Sequence, residues 1–293
     1  MRNLQEPVET SPLRILVTGQ RGFVGRHVCS ALNERPDINV ITTQPGQFDI
    51  LDRNGRAGLI DFARADMLIH LAWYTEHGKF WGADVNADWQ AASSDLFSRF
   101  YDAGGRRVVG IGSCAEYDWQ TGADRFRENA PTAPHTAYGA AKVRTSEALS
   151  ELSSDHAWGR VFFTYGNGEP ITKLIPAALS AARHQEPMGI GPAATTRDFM
   201  DVRDLGAAIA ALALSGAQGA VNVATGTATK FSDLAATIEK IGGSNNIILP
   251  DSRELSPGEP ASIVADTSRL KSEIGFEPKI GLEAGLRAYF DSF

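Results

Sequence analysis

The stretch RILVTGQRGFVGRHV, Arg14 to Val28, limits what this chain can fold into more than any other. An apolar run ends at Thr18, and glycines stand next at positions 19, 22 and 25. The spacing predicts a strand over Arg14–Thr18, a tight turn, and a helix over Gly22–Asn33. In such a turn the first glycine permits the sharp reversal. The second lets the backbone approach a pyrophosphate, and the third lets helix pack on strand. Free N–H groups and the helix dipole then face an anion. A glycine triplet also describes an ordinary tight turn, so its meaning depends on the elements downstream of it.

Downstream, strands and helices alternate. Strands are predicted over Asn39–Thr42, Met67–Leu71, Arg106–Ser113 and Gly159–Gly166. Helices are predicted over Asn54–Arg64, Asp84–Ala103 and Ala137–Leu152, the second with Trp89, Ala92, Leu96 and Phe100 on one face. Short apolar strands between amphipathic helices imply an α/β fold: a Rossmann-type doubly wound parallel sheet, covered on both faces. Beyond Gly166, prolines at 170, 176, 187, 192, 250, 257, 260 and 278 break the rhythm. The expected division is a loose tail over 1–12, a dinucleotide-binding domain over 13–166, and a smaller C-terminal α/β substrate lobe over 167–293. Elements near 198–225 are expected to return to the first domain, and a cleft between the lobes is the natural ligand site.

Composition removes other classes. A net charge of −7 without a basic run argues against nucleic-acid or acidic-membrane surfaces. Two cysteines, Cys29 and Cys114, build neither a disulfide framework nor a CxxC metal site. A reducing cytoplasm and no metal are expected. The first dozen residues lack the apolar core of a signal peptide, and no uncharged apolar stretch approaches membrane-spanning length.

The turn, TGQRGFVG, resembles that of extended short-chain dehydrogenases/reductases, most closely the nucleotide-sugar-modifying branch with its GDP-fucose synthase-like and 4-ketoreductase members. The resemblance runs from Arg14 to about Leu286. It implies cofactor contacts from Gly19, Arg21, Gly22, Phe23, Val24 and Gly25. Asp49 and Ile50 of FDILD would border the adenine, and the Leu71 and Ala72 backbone of IHLAW would lie along the cofactor. An NAD site of this kind offers a carboxylate about 20 residues past the turn. Here VITTQPG supplies only neutral Thr42, Thr43 and Gln44. Arg21 either meets a 2′-phosphate or points to solvent. NADP(H) is therefore favoured, with NAD(H) possible. His70 reads as a packed strand residue.

The chemistry rests on two further motifs. In YGAAK, Tyr138 and Lys142 share one helical face. The ammonium is expected to lower the phenol's pKa and to bond the nicotinamide ribose, and Tyr138 to move a proton as hydride moves at carbon. In GIGSCAEY, Ser113 matches the family's catalytic hydroxyl; the plainer reading is a strand-end serine capping a turn. Nucleotide-sugar dehydratases carry an Asp-Glu pair where Cys114 and Ala115 stand, which argues against that chemistry. Glu116, one step late on an extended strand, would point to the other face. Cys114 reads as a small buried side chain.

In the second lobe, RDFMDVRD resembles a family segment whose arginine, here Arg197, binds the substrate diphosphate. The alternative is an ion pair of Arg197 with Asp198 or Asp201. Asp204 is expected to cap the next helix. Lys173, His135 and Thr136 stand where the family places substrate-facing residues. Two departures weaken the sugar assignment: Phe163 replaces a common asparagine, and Ser256 an arginine that grips phosphate, for which Arg253 would have to substitute. The resemblance implies NADP(H)-dependent reduction of a nucleotide-linked keto-sugar, a 4-keto-6-deoxyhexose, with Tyr138 as acid. The alternatives are an NAD-dependent 4-epimerase and a non-catalytic dinucleotide sensor. It also implies a homodimer joined through the helices over Asp84–Ala103 and Ala137–Leu152.

Overall fold

A computed structural model describes residues 11–253, 255 and 260–293. Most of the predicted tail and Ser256 lie outside these residues. The first half alternates β1 (Leu13–Thr18), α1 (Gly25–Asn33), β2 (Ile38–Ile41), α2 (Arg53–Ala63), β3 (Met67–His70), α3 (Val85–Asp102), β4 (Arg107–Ser113), α4 (Ala137–Leu152) and β5 (His156–Val161). These five strands and a sixth, Gly219–Val223, form one parallel sheet in the order β2-β1-β3-β4-β5-(Gly219–Val223). The order reverses between β1 and β3, so a crevice opens there at the carboxyl ends of the strands.

Alternating side chains explain the two-sided burial. Ile15, Val17, Ile69 and Val109 face one layer with Leu205, Ile209 and Leu212 of the helix Val202–Leu214. Leu16, Leu68 and Val108 face the other, with Leu96 and Phe97 of α3 and Trp158 of β5. A second core gathers Ile175, Leu179, Phe199, Leu234, Ile238 and Leu286 from later elements.

Three predicted elements differ. The first helix starts at Gly25 instead of Gly22, because Gly22 N–H closes a turn onto Gly19 O at 2.9 Å. The strand predicted over Gly159–Gly166 is divided. β5 ends at Val161, and Phe163–Tyr165 pairs instead with Phe199–Asp201, guided by Phe163 N–H donating to Asp198 O at 3.2 Å. Asp204 does not cap the helix Val202–Leu214. Asp201 does so, accepting from Arg203 N–H at 2.9 Å, while Asp204 accepts from Lys279 and Ile280 N–H at 2.8 and 2.7 Å.

Asp198, fully buried, joins distant segments. Its carboxylate accepts from the Thr225 N–H and hydroxyl (3.0 and 2.6 Å), Gly226 N–H (2.8 Å) and Ala265 N–H (3.3 Å).

Candidate active site

The glycine turn sits at the crevice. Gly19 has φ +72°, and a Cβ there would lie 2.8 Å from Ala72 N. A Cβ on Gly25 would lie 2.1 Å from Gly19 O. Both positions therefore demand glycine. The turn leads directly into the N-terminus of α1, whose dipole suits an anionic group. A cavity of about 220 Å³ opens beside it, bounded by Gly19, Arg21, Gly22, Thr43, Phe48 and Ile50. The Arg21 guanidinium donates to the Thr43 carbonyl. Asp49 turns its carboxylate to Leu51 N–H at 2.9 Å, so of the predicted pair only Ile50 is in the cavity wall. The residues present fit a dinucleotide: a glycine cradle, an apolar slot, and no carboxylate at the end of β2. Phe23 lies 6.0 Å from Lys173 Nζ, and Val24 O accepts the first helical bonds of α1. Leu71 N–H donates to Thr18 O at 3.2 Å, which fixes the backbone facing the turn.

His70 is a core residue. Its ring nitrogens bond Thr18 Oγ1 at 2.8 Å and Ser93 Oγ at 2.9 Å, and burial pushes its pKa down to about 3. The ring is therefore neutral at physiological pH.

β4 runs three residues past the level where Gly110 pairs with His70, which carries Ser113 beyond the end of β3 while it still pairs with Val161 of β5. There the chain turns through Cys114–Glu116. Ser113 Oγ accepts from Ala115 N–H at 3.2 Å, leaving its own proton free to donate. Tyr138 and Lys142 project from α4, whose first turn is capped by Thr136 accepting from Gly139 N–H at 3.0 Å. The Ser113 hydroxyl lies close enough to the Tyr138 phenol to favour its ionised form. Lys142 is buried, donates to Ile111 O at 2.8 Å, and lies 5.8 Å from the Tyr138 ring centre. Burial pushes the lysine down to about 7, against an opposing pull from Glu116. The expected lowering of the phenol's pKa does not appear. Desolvation raises it, with Ser113 opposing, so Tyr138 is a protonated acid at neutral pH.

Glu116 corrects another expectation. It is not on an extended strand, so the alternation argument does not apply. The turn folds its carboxylate back beneath Ser113, where Oε1 accepts from Ser113 N–H (2.8 Å) and Trp158 Nε1–H (2.9 Å). Oε2 accepts from Arg160 Nε–H at 2.7 Å in a fully buried pair. Cys114 is buried and its thiol is pushed up to about 12 by desolvation, which leaves it inert.

The predicted substrate residues are more scattered. Arg197 donates to Thr196 O at 2.8 Å and Pro260 O at 3.1 Å, with its guanidinium 5.5 Å from the Phe163 ring; Asp201 pairs with Arg203. Its charge reaches Cys114, next to Ser113. His135 lies 3.5 Å from Asp118 and against Trp119. Lys173 lies 3.5 Å from Glu169. Arg253 stands by Asp251 at 3.8 Å.

Sequence reasoning missed an aromatic wall. Trp73, Phe80 and Trp81 meet the Tyr138 ring edge-on at 6.4, 5.0 and 5.7 Å between centres. The available signal was three large aromatic residues in the connection between β3 and α3, a segment otherwise mostly exposed.

A parallel doubly wound sheet with an anion-binding glycine turn at its switch point is the architecture of dinucleotide-binding proteins. The chain belongs to the NAD dependent epimerase/dehydratase family, whose model matches residues 15–224. It is 27% identical to a dTDP-6-deoxy-L-talose 4-dehydrogenase (NAD(P)(+)) of Kitasatospora kifunensis, over 95% of both chains. It is 26% identical to a UDP-glucose 4-epimerase of Azospirillum brasilense, over 91% of this chain and 87% of that one. In structure it resembles RMD from Pseudomonas aeruginosa complexed with NADPH, with TM-score 0.83 at 23% identity, covering 95% of this chain and 98% of that one. Among the described residues no helix is long and apolar enough to cross a membrane.

Proposed function

We propose that this protein reduces the carbonyl of a nucleotide-linked keto-sugar, a 4-keto-6-deoxyhexose, using NADP(H). The observation that carries the reading is a protonated, half-buried Tyr138 phenol with the Ser113 hydroxyl near it and the Lys142 ammonium 5.8 Å from its ring centre. A nicotinamide dinucleotide held there supplies the hydride. Tyr138 gives its proton to the carbonyl oxygen as the carbon is reduced, and Ser113 donates a hydrogen bond to that oxygen. Lys142, anchored on Ile111 O, has further N–H groups to orient the ribose. A phenol held in its protonated form suits reduction, where the first demand is for an acid. The absence of a carboxylate after β2 and the placement of Arg21 favour a 2′-phosphate on the cofactor. Arg197 is the proposed diphosphate ligand, and His135 and Lys173 would border the sugar.

The test is a panel of nucleotide-activated keto-sugars with NADPH and NADH, followed by nicotinamide absorbance, with product configuration assigned by NMR. One keto-sugar should be reduced with NADPH preferred, and Tyr138→Phe should lower kcat by about 10²–10⁴-fold while leaving NADPH binding intact. Tightly retained NAD with no net NADPH oxidation on any substrate would replace the reading with 4-epimerisation, as in the Azospirillum relative. Undiminished physiological function in Tyr138→Phe would point to a non-catalytic sensor.

A further inference from the structure

Lys142 has an unusual neighbour. The Trp73 indole lies flat against its ammonium, with Nζ 3.6 Å from the ring centre. The indole is not loose. Its Nε1–H donates to Asn86 Oδ1 at 2.9 Å, and Asn86 is itself fully buried in the first turn of α3. The Asn86 amide donates to Phe80 O at 2.7 Å and Ala83 O at 2.9 Å. One asparagine thus uses its acceptor and both donor hydrogens to clasp Trp73 and the far end of the aromatic segment. Tyr138 N–H completes the attachment by donating to Trp81 O at 3.1 Å.

We propose that Trp73, held by Asn86, is a positioning residue for Lys142: its π face keeps the buried ammonium charged and fixes its direction. A cation over an indole face is stabilised most when both are out of water, which is the situation here. The other groups facing Lys142 do not suffice. His70 approaches from β3 but is neutral, and Ile111 O of β4 accepts only one of three N–H bonds. Tyr138 on the same helix is a protonated phenol, and the Trp158 ring of β5 is 6.0 Å away. Glu116 is the acid that favours the charged form, yet its oxygens are already engaged by Arg160, Trp158 and Ser113. Lys142 therefore sits close to its titration midpoint at neutral pH, where a modest attraction decides its charge.

The proposal takes the role of Lys142 from the reaction proposed above, but its main test needs no turnover. Tryptophans of increasing fluorine content, placed at position 73, keep the ring's shape while draining its negative face. Lysine-labelled protein is titrated by NMR, with the Lys142 signal identified by its loss in Lys142→Met. The Lys142 midpoint should fall stepwise, by about one pH unit across the series. A flat or rising midpoint overturns the proposal. In keto-sugar reduction, the alkaline limb of kcat should move down in step. A limb that moves while the Lys142 titration stays fixed also overturns it. A titration that falls as expected, with no keto-sugar reduced, supports the proposal and overturns only the reaction. Asn86→Leu, which releases the indole edge but spares the ring, should broaden or displace the Lys142 signal; an unchanged signal refutes the clasp.

Discussion

Glu116→Gln isolates the buried pair beneath Ser113. The substitution keeps an oxygen for Ser113 N–H and Trp158 Nε1–H but turns an amide NH₂ toward Arg160 Nε, now 2.7 Å from the oxygen it replaces. Arg160 is buried, so its charge is left without a counter-ion. Breaking a buried pair from one side costs about 3–5 kcal/mol. For a chain of 293 residues that corresponds to a melting temperature lower by roughly 5–8 °C. The attraction inside the pair is not what the native state gains overall, because both groups were removed from water. Glu116→Gln combined with Arg160→Met should therefore recover most of the loss, and the double-mutant cycle should give a coupling of several kcal/mol. Urea unfolding and calorimetry measure all four proteins. A single variant that loses less than about 1 kcal/mol, or a double variant less stable than the single, would refute the argument.

The remaining expectations concern the cofactor and pH. Arg21→Ala should weaken NADPH binding about 10–100-fold, the scale of one charge-assisted contact, and leave NADH binding nearly unchanged by calorimetry; an equal loss for both would remove Arg21 from the 2′ position. Lys142 titrates near 7 in the folded protein against an ordinary 10.5. The unfolded chain then holds more protons between those values, so this group's contribution to stability rises with pH across that window and is lost as pH falls through about 7. Lys142→Met should flatten that part of the stability curve, and an unaltered slope would count against the buried ammonium. His70, pushed to about 3 from 6.5, should make acid unfolding steeper below 6.5, and the His70→Gln difference curve reports it.

The parallel sheet was legible because its signals are local. Ile15, Leu16 and Val17 alternate between two buried faces, and the glycines at 19 and 25 stand where backbone contact excludes any side chain. The same holds for Tyr138 and Lys142, whose pairing needs only helical spacing. Glu116 was misread because strand alternation was assumed past Ser113, where the chain curls into a tight turn. Asp204 and Asp201 both precede or begin one helix, and only the distant Lys279 and Ile280 amides decide which of them caps it. The phenol's acidity depends on how much water the aromatic wall excludes. No spacing rule carries that, since Trp73, Phe80 and Trp81 lie in a connection without regular periodicity.

Asp198 ties together segments that stand 27 and 67 residues away along the chain. A carboxylate stripped of water and met by four donors is a rivet: releasing one segment strands the charge for the others. The second core therefore has no low-energy way to melt while the sheet survives. Heating should produce one calorimetric peak, and a nick between the two cores should leave fragments that remain associated until both lose their structure together.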